Sequence, residues 1–249
     1  FTNCLKLTIV LYLMTIFSRT SCINLSMKKE SAEPTTRVGK KPIIPQEKQD
    51  KIFKAIVQIK SKVDVPFVGD VDTVVNTLGF IVSVEKGIIA VPKKVARIGP
   101  SVTRIIFHNG EEARGTVIYT DTIIPLGFIM IEKDYLANNK DKLAEIELGS
   151  TETQFYADYR VVLMGASVES EAVSKEGKVV NSNRNFANRY GALFQSNFDS
   201  TSNLNGAPIF NDKALCVGMH ILSNESASYG LKVEYIKNYL KYFLDENFD

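Results

Sequence analysis

A chain of 249 residues with 45% hydrophobic side chains can bury a full core, and its length allows one large domain or two small ones. A formal net charge of +2 is too small to point to nucleic acid by bulk electrostatics. Three cysteines are too few for a disulfide framework, and with no CxxC and no His/Cys cluster neither a metal nor another cofactor is expected.

Lys6 precedes an apolar run of eleven residues, Leu7 to Phe17. That falls short of the roughly 20 residues that span a bilayer and suits the core of a signal peptide. Thr20 and Cys22 are small residues placed for cleavage after Cys22, so 1–22 reads as a leader and no membrane span is expected beyond it. The chain opens on Phe1 rather than Met, and a start at Met27 would discard the leader. The first route leads to the secretory pathway and the second to the nucleus or cytoplasm; both stay open. Asn24-Leu25-Ser26 and Asn224-Glu225-Ser226 are glycosylation sequons that matter only on the secretory route. Residues 26–46 are polar and basic, hold three of the eight prolines, and read as flexible linker.

From Ile56 onward, short β-branched runs alternate with turn signals. Ile56–Ile59 is the first. Gly79–Val84 passes through Glu85-Lys86-Gly87 into Ile88–Val91 as a hairpin. Val102–Phe107 and Ala113–Tyr119 flank His108-Asn109-Gly110, whose Asn-Gly pair favours a tight hairpin turn. Leu126–Ile131, Arg160–Met164, Ala172–Val180, Ala192–Ser196, Pro208–Phe210 and Leu215–Ile221 follow. About a dozen strands at this spacing predict sandwiches or barrels. The polar stretch Leu136–Gly149 divides them into two groups. Val233, Ile236, Leu240 and Leu244 have helical spacing and predict one amphipathic helix that closes the fold. Cys216 lies in an apolar run and reads as a buried, inert thiol.

Several of these segments, in order, resemble the HtrA/DegP family of trypsin-like serine proteases. Thr77-Leu78-Gly79-Phe80-Ile81-Val82 resembles the family's Gly-Phe-Val-Val strand, and Gly87–Val95 its Gly-Ile-Ile-Leu-Thr-Asn-Lys-His-Val. Tyr119–Phe128 resembles Tyr-Arg-Asp-Pro-Val-His-Asp-Phe-Gly-Phe. Arg160–Gly165 is similar to the strand that opens the second barrel. Asn203-Leu204-Asn205-Gly206-Ala207-Pro208 is similar to the nucleophile loop Gly-Asn-Ser-Gly-Gly-Pro, and Tyr229–Ile236 to the approach to the closing helix. The pattern covers roughly 46–245 and resembles in particular the fungal, nuclear HtrA-like protease of tandem protease and PDZ units, taken here as a protease-like domain without its PDZ. The resemblance implies an all-β fold of two packed antiparallel β-barrels of the chymotrypsin/trypsin type with a C-terminal helix. In that frame 1–22 is leader, 23–45 linker, 46–135 first barrel, 136–150 connection, 151–232 second barrel, and 233–249 helix and tail.

Carried over residue by residue, the resemblance puts Lys94 at the histidine position, Pro125 at the aspartate position and Asn205 at the serine position. A triad needs a nucleophile, a base that takes its proton and a carboxylate that orients the base. An asparagine amide nitrogen is delocalised into its carbonyl and is not activated as a hydroxyl is. Lysine is ordinarily protonated near neutral pH, and proline offers no carboxylate. All three roles are lost together. The oxyanion donors implied by the resemblance are the backbone N–H groups of Asn203 and Asn205. Asn203 replaces a glycine there, and asparagine tolerates left-handed geometry better than most residues. With Gly206 and Pro208 retained, a loop of protease shape without protease chemistry is expected. His108, at a hairpin tip, and His220, near a strand end, read as structural or solvent-facing.

Three functions are weighed. The first is a catalytically inactive HtrA-like homologue that binds a peptide, an unfolded segment or related protease subunits, with a homo-oligomer, by resemblance a trimer, as its assembly. The second is an active endopeptidase with a displaced nucleophile, Ser202 or Ser200 paired with Lys94, although turn serines ordinarily bond their own backbone. The third is a structural or secreted interaction protein on the double-barrel scaffold. No nucleic-acid partner is expected.

Overall fold

The computed structural model describes residues 42–63, 74–97, 99, 101–151, 155–166, 171–186, 189–198, 202–223 and 227–245. The expected leader, most of the linker, Cys4, Cys22, Asn24, Asn224 and Ser200 lie outside the described residues, as does the side chain of Ser202.

Chain order begins with α1 (Gln46–Ala55) and continues through β1 (Ile56–Val63), β2 (Val74–Ser83), β3 (Ile88–Val91), β4 (Ser101–Ile106), β5 (Glu112–Thr120) and β6 (Gly127–Ile131). A connection follows with α2 (Lys133–Asn139) and a 3₁₀ turn (Lys140–Lys142). Then come β7 (Arg160–Ala166), β8 (Ala172–Phe186), β9 (Arg189–Ser196), β10 (Pro208–Phe210), β11 (Cys216–Ser223), β12 (Ser228–Lys232) and α3 (Val233–Leu244). Strands β1-β2-β3-β6-β5-β4 close into one barrel and β10-β11-β12-β9-β8-β7 into another. Neighbouring strands are antiparallel throughout. Closure leaves no long open sheet edge, which is how antiparallel barrels avoid edge-to-edge association.

The two barrels share apolar material. Phe80 and Ile81 are successive residues of β2 and both are fully buried, because adjacent side chains of a strand point to opposite faces. Ile81 packs with Val57, Ile89, Ile105 and Ile129 inside the first barrel. Phe80, with Leu78 and Phe128, joins the cluster that includes Leu163, Leu204 and Ile209 of the second. Each such side chain contributes about 1.5–3 kcal/mol on burial, so β2 is central to both cores.

Helix α1 and strand β12 were not foreshadowed by the sequence pattern. Helix α1 follows Pro45, whose carbonyl accepts from Lys48 N and Gln49 N at 3.0 and 3.1 Å. Only Ile52 and Ala55 of α1 are buried, so its apolar signal is thin. Strand β12 pairs with both β9 and β11 yet carries Gly230, over which the Phe194 ring lies so closely that a Cβ would come to 2.4 Å of it. The space that Phe194 requires removes the side chain that would have marked the strand.

The expected closing helix is α3. Val233, Ile236 and Leu240 are buried, while Tyr239 and Phe243 reach the first barrel. Tyr239 lies 5.1 Å from Tyr119, and Phe243 lies 5.9 Å from Tyr119 and 5.6 Å from Phe128, ring centre to ring centre. Glu234, in the first turn, accepts from Thr151 N at 2.5 Å, Thr151 Oγ1 at 2.6 Å and Ser150 Oγ at 3.2 Å. A carboxylate there also meets the positive end of the helix dipole.

The β10–β11 turn holds one strained residue. Asn211 Oδ1 accepts from Lys213 N at 3.0 Å and Leu215 N at 2.9 Å, and this forces Ala214 to φ +65°. An alanine in the left-handed region costs about 1–2 kcal/mol, partly offset by the lower chain entropy of the unfolded state. Ala214→Gly is therefore expected to raise stability by about 0.5–1 kcal/mol, read as a higher urea midpoint at unchanged slope.

Candidate active-site cleft

Three loops and strands β1 and β2 converge where the barrels meet. The first loop follows β3. Val95 N donates to Pro92 O at 3.1 Å and Ala96 N to Lys93 O at 3.1 Å, making a tight turn. Val95 and Ala96 point inward, and Lys94 is exposed.

The second loop joins β5 to β6 and is organised by Asp121. Its Oδ1 accepts from Ile123 N and Ile124 N, both at 2.7 Å, and its Oδ2 from Tyr119 Oη at 2.7 Å. Burial pushes this carboxyl's pKa up, but the hydrogen bonds from Tyr119, Ile124 and Ile123 together outweigh burial and hold it below the usual value. The loop delivers Pro125 to the cleft, and Pro125 O accepts from Lys93 N at 3.3 Å. Lys93 Nζ donates to Thr122 O at 2.6 Å, so the first two loops brace each other.

The third loop precedes β10. Ser202–Leu204 forms a 3₁₀ turn, Leu204 is buried, and Ala207 N donates to Leu204 O at 3.0 Å. Asn203 lies within this turn and takes no positive φ; the left-handed residue is Gly206, at φ +87°. Two sets of bonds fix the loop. Gly206 N donates to His220 O at 2.7 Å and His220 N to Ala207 O at 2.8 Å, which ties it to β11. Asn205 O accepts from Leu78 N at 2.8 Å and from Thr77 Oγ1 at 2.6 Å, which ties it to β2 of the first barrel. Asn205 Oδ1 is buried and has no hydrogen-bond partner among the described residues.

Lys94, Pro125, Asn203 and Asn205, drawn from three separate loops, line one cavity of about 380 Å³. Gln58, Lys60, Asn76 and Thr77 of β1 and β2 supply its polar wall. The roles of Thr77, Leu78 and Asp121 in shaping this cleft were not read from the sequence. Asp121, two residues before an Ile-Ile pair in a turn, carried the usable signal, since aspartate commonly accepts from the backbone just beyond it.

The other reactive side chains lie elsewhere. His108 is exposed at the hairpin tip. His220 is buried in β11, where loss of hydration and the charge of Lys175 bring its pKa down to about 4. The Cys216 thiol is wholly buried and burial pushes its pKa up to about 12, so it is neutral and no nucleophile.

Two closed six-stranded barrels with a loop-lined cleft between them define a domain of the trypsin-like protease fold. The crystal structure of Deg5 shares it, with a TM-score of 0.63 at 14% identity, over 80% of this chain and 93% of that one. No family model matches the chain. Among curated proteins it is similar to the pro-apoptotic serine protease NMA111 of Candida glabrata, 27% identical over 192 residues or 74% of this chain. The proteins of the same name in Lodderomyces elongisporus and Saccharomyces cerevisiae are each 25% identical, over 72% and 71% of this chain. The chain spans only 18–19% of the length of these relatives. It is a homologue of the HtrA-like serine proteases, with the fold of an HtrA/DegP-type protease domain.

Proposed function

We propose that this chain is a catalytically inactive HtrA-like homologue that binds peptides or unfolded segments in the inter-barrel cleft. The observation that carries this is the convergence of Lys94, Pro125 and Asn205 on one cavity. Among the described residues that line it there is no serine, cysteine, histidine, aspartate or glutamate. The one hydroxyl, Thr77 Oγ1, donates to the Asn205 carbonyl. Lys94 itself is exposed on the turn after β3. The cleft itself is concave and mixes apolar with polar lining residues, which suits a ligand with both kinds of group, as a peptide has.

The test is proteolysis of casein by the full chain beside a Ser202→Ala variant, with circular dichroism showing both folded. No cleavage above background is expected from either; removing triad members costs about 10⁴–10⁶-fold in turnover. Cleavage by the parent chain that Ser202→Ala abolishes would establish a displaced nucleophile and refute inactivity.

A further inference from the structure

We propose that the cleft selects acidic peptide segments; this deepens, and rests on, the peptide-binding reading above. Three lysines, Lys60 at the end of β1's cleft-facing run and Lys93 and Lys94 on the turn after β3, line the same cavity. No acidic side chain is among the described residues lining it, and none of the three lysines forms an ion pair among the described residues. The bond from Lys93 Nζ to Thr122 O fixes the position of that ammonium without cancelling its charge. The chain as a whole is nearly neutral, at +2, so this cluster is a local feature and not a sample of a basic surface.

The walls between the lysines are Ile59, Leu78, Pro92 and Pro125. Low-dielectric walls around like charges focus the field and raise the local concentration of the opposite charge. Asn76 and Thr77 add polar groups that suit a peptide backbone. No aromatic residue is among the described lining residues, so the stacking platform that a single-stranded nucleic acid uses is missing. The occupant that matches apolar walls, amide-bonding groups and three unneutralised ammonium groups is an extended peptide carrying carboxylates.

The test is fluorescence anisotropy with the full chain and two fluorescein-labelled peptides, one glutamate-rich and one its glutamine counterpart. At low ionic strength the acidic peptide is expected to bind roughly tenfold more tightly, as complementary charge allows. That ratio is expected to shrink as salt shortens the screening length to about 3 Å near 1 M. Lys60 and Lys94 are exposed, so Lys60→Gln/Lys94→Gln keeps the fold and is expected to bring the ratio toward one. Equal binding of the two peptides would defeat the acidic preference while leaving peptide binding intact. A ratio undiminished by the double substitution would place the recognition elsewhere. A thymidine oligonucleotide competing as well as the acidic peptide would overturn the choice of occupant. Binding of neither peptide would defeat both this inference and the peptide-binding reading, whereas preferential binding followed by cleavage would defeat only inactivity.

Discussion

Gly206→Ala is expected to destabilise the fold by about 4 kcal/mol or more, the sum of a steric and a conformational penalty. A Cβ at this position would sit 1.8 Å from Leu78 O and 2.7 Å from Leu78 C, with Pro92 Cδ at 2.9 Å. The obstacle is backbone of β2, which has no rotamer to escape into. Relief requires the Asn205 loop to lift, which breaks the bonds that Asn205 O accepts from Leu78 N and Thr77 Oγ1. Leaving such buried groups unsatisfied costs about 1–3 kcal/mol apiece. The φ of +87° adds a further penalty of about 1 kcal/mol for any residue with a Cβ. Gly110→Ala separates the two terms. Gly110 has φ +80°, but a Cβ there meets nothing within 4 Å, so only the conformational cost of about 1 kcal/mol is expected. Chemical denaturation of both variants checks this; equal losses would show that the contact with Leu78 is not what the glycine serves.

The second large effect is acid sensitivity through His220. Its pKa is about 4 in the folded chain against 6.5 for the free side chain, with burial the leading cause and the Lys175 charge second. A folded pKa lowered in this way means that the unfolded state takes up a proton that the native state refuses. The stability linked to His220 is therefore intact above pH 6.5 and falls as pH drops from 6.5 to 4, where it levels off. The full loss is about 3 kcal/mol, and about 2 kcal/mol of it accrues between pH 7 and pH 5, before most carboxylates titrate. His220→Gln is expected to flatten the profile in that window, measured as unfolding free energy against pH. A parent profile already flat between pH 7 and 5 would show that the imidazole reaches solvent when protonated.

The strands were legible because β-branched residues in short runs between turn signals carry local information. Ile88–Val91 and Pro208–Phe210 were read with the bounds they have in the structure. The double barrel needed more than local pattern, since period-two alternation does not say which strands close on which; the ordered resemblance supplied that. The convergence of Lys94, Pro125 and Asn205 was expected from the same source. The details that shape the cleft were not legible. Asparagine at position 203 raised the question of left-handed geometry there, yet Asn203 lies in a 3₁₀ turn and the positive φ sits at Gly206. The docking of the Asn205 carbonyl on β2 is a pairing between residues remote in sequence, through backbone atoms that carry no sequence signature. Helix α1 escaped notice because its buried side is so small, and β12 because Phe194 occupies the space of a side chain at Gly230.

The placement of α3 has a consequence for how such a chain is made. The first barrel's strands all lie between Ile56 and Ile131, so that barrel can close while the ribosome is still reading the second. Tyr119 and Phe128 nonetheless wait for Tyr239 and Phe243, residues that leave the exit tunnel only after every strand of the second barrel. Until then the nascent chain presents an aromatic face to whatever meets it, and chaperone occupancy during synthesis should end as α3 emerges.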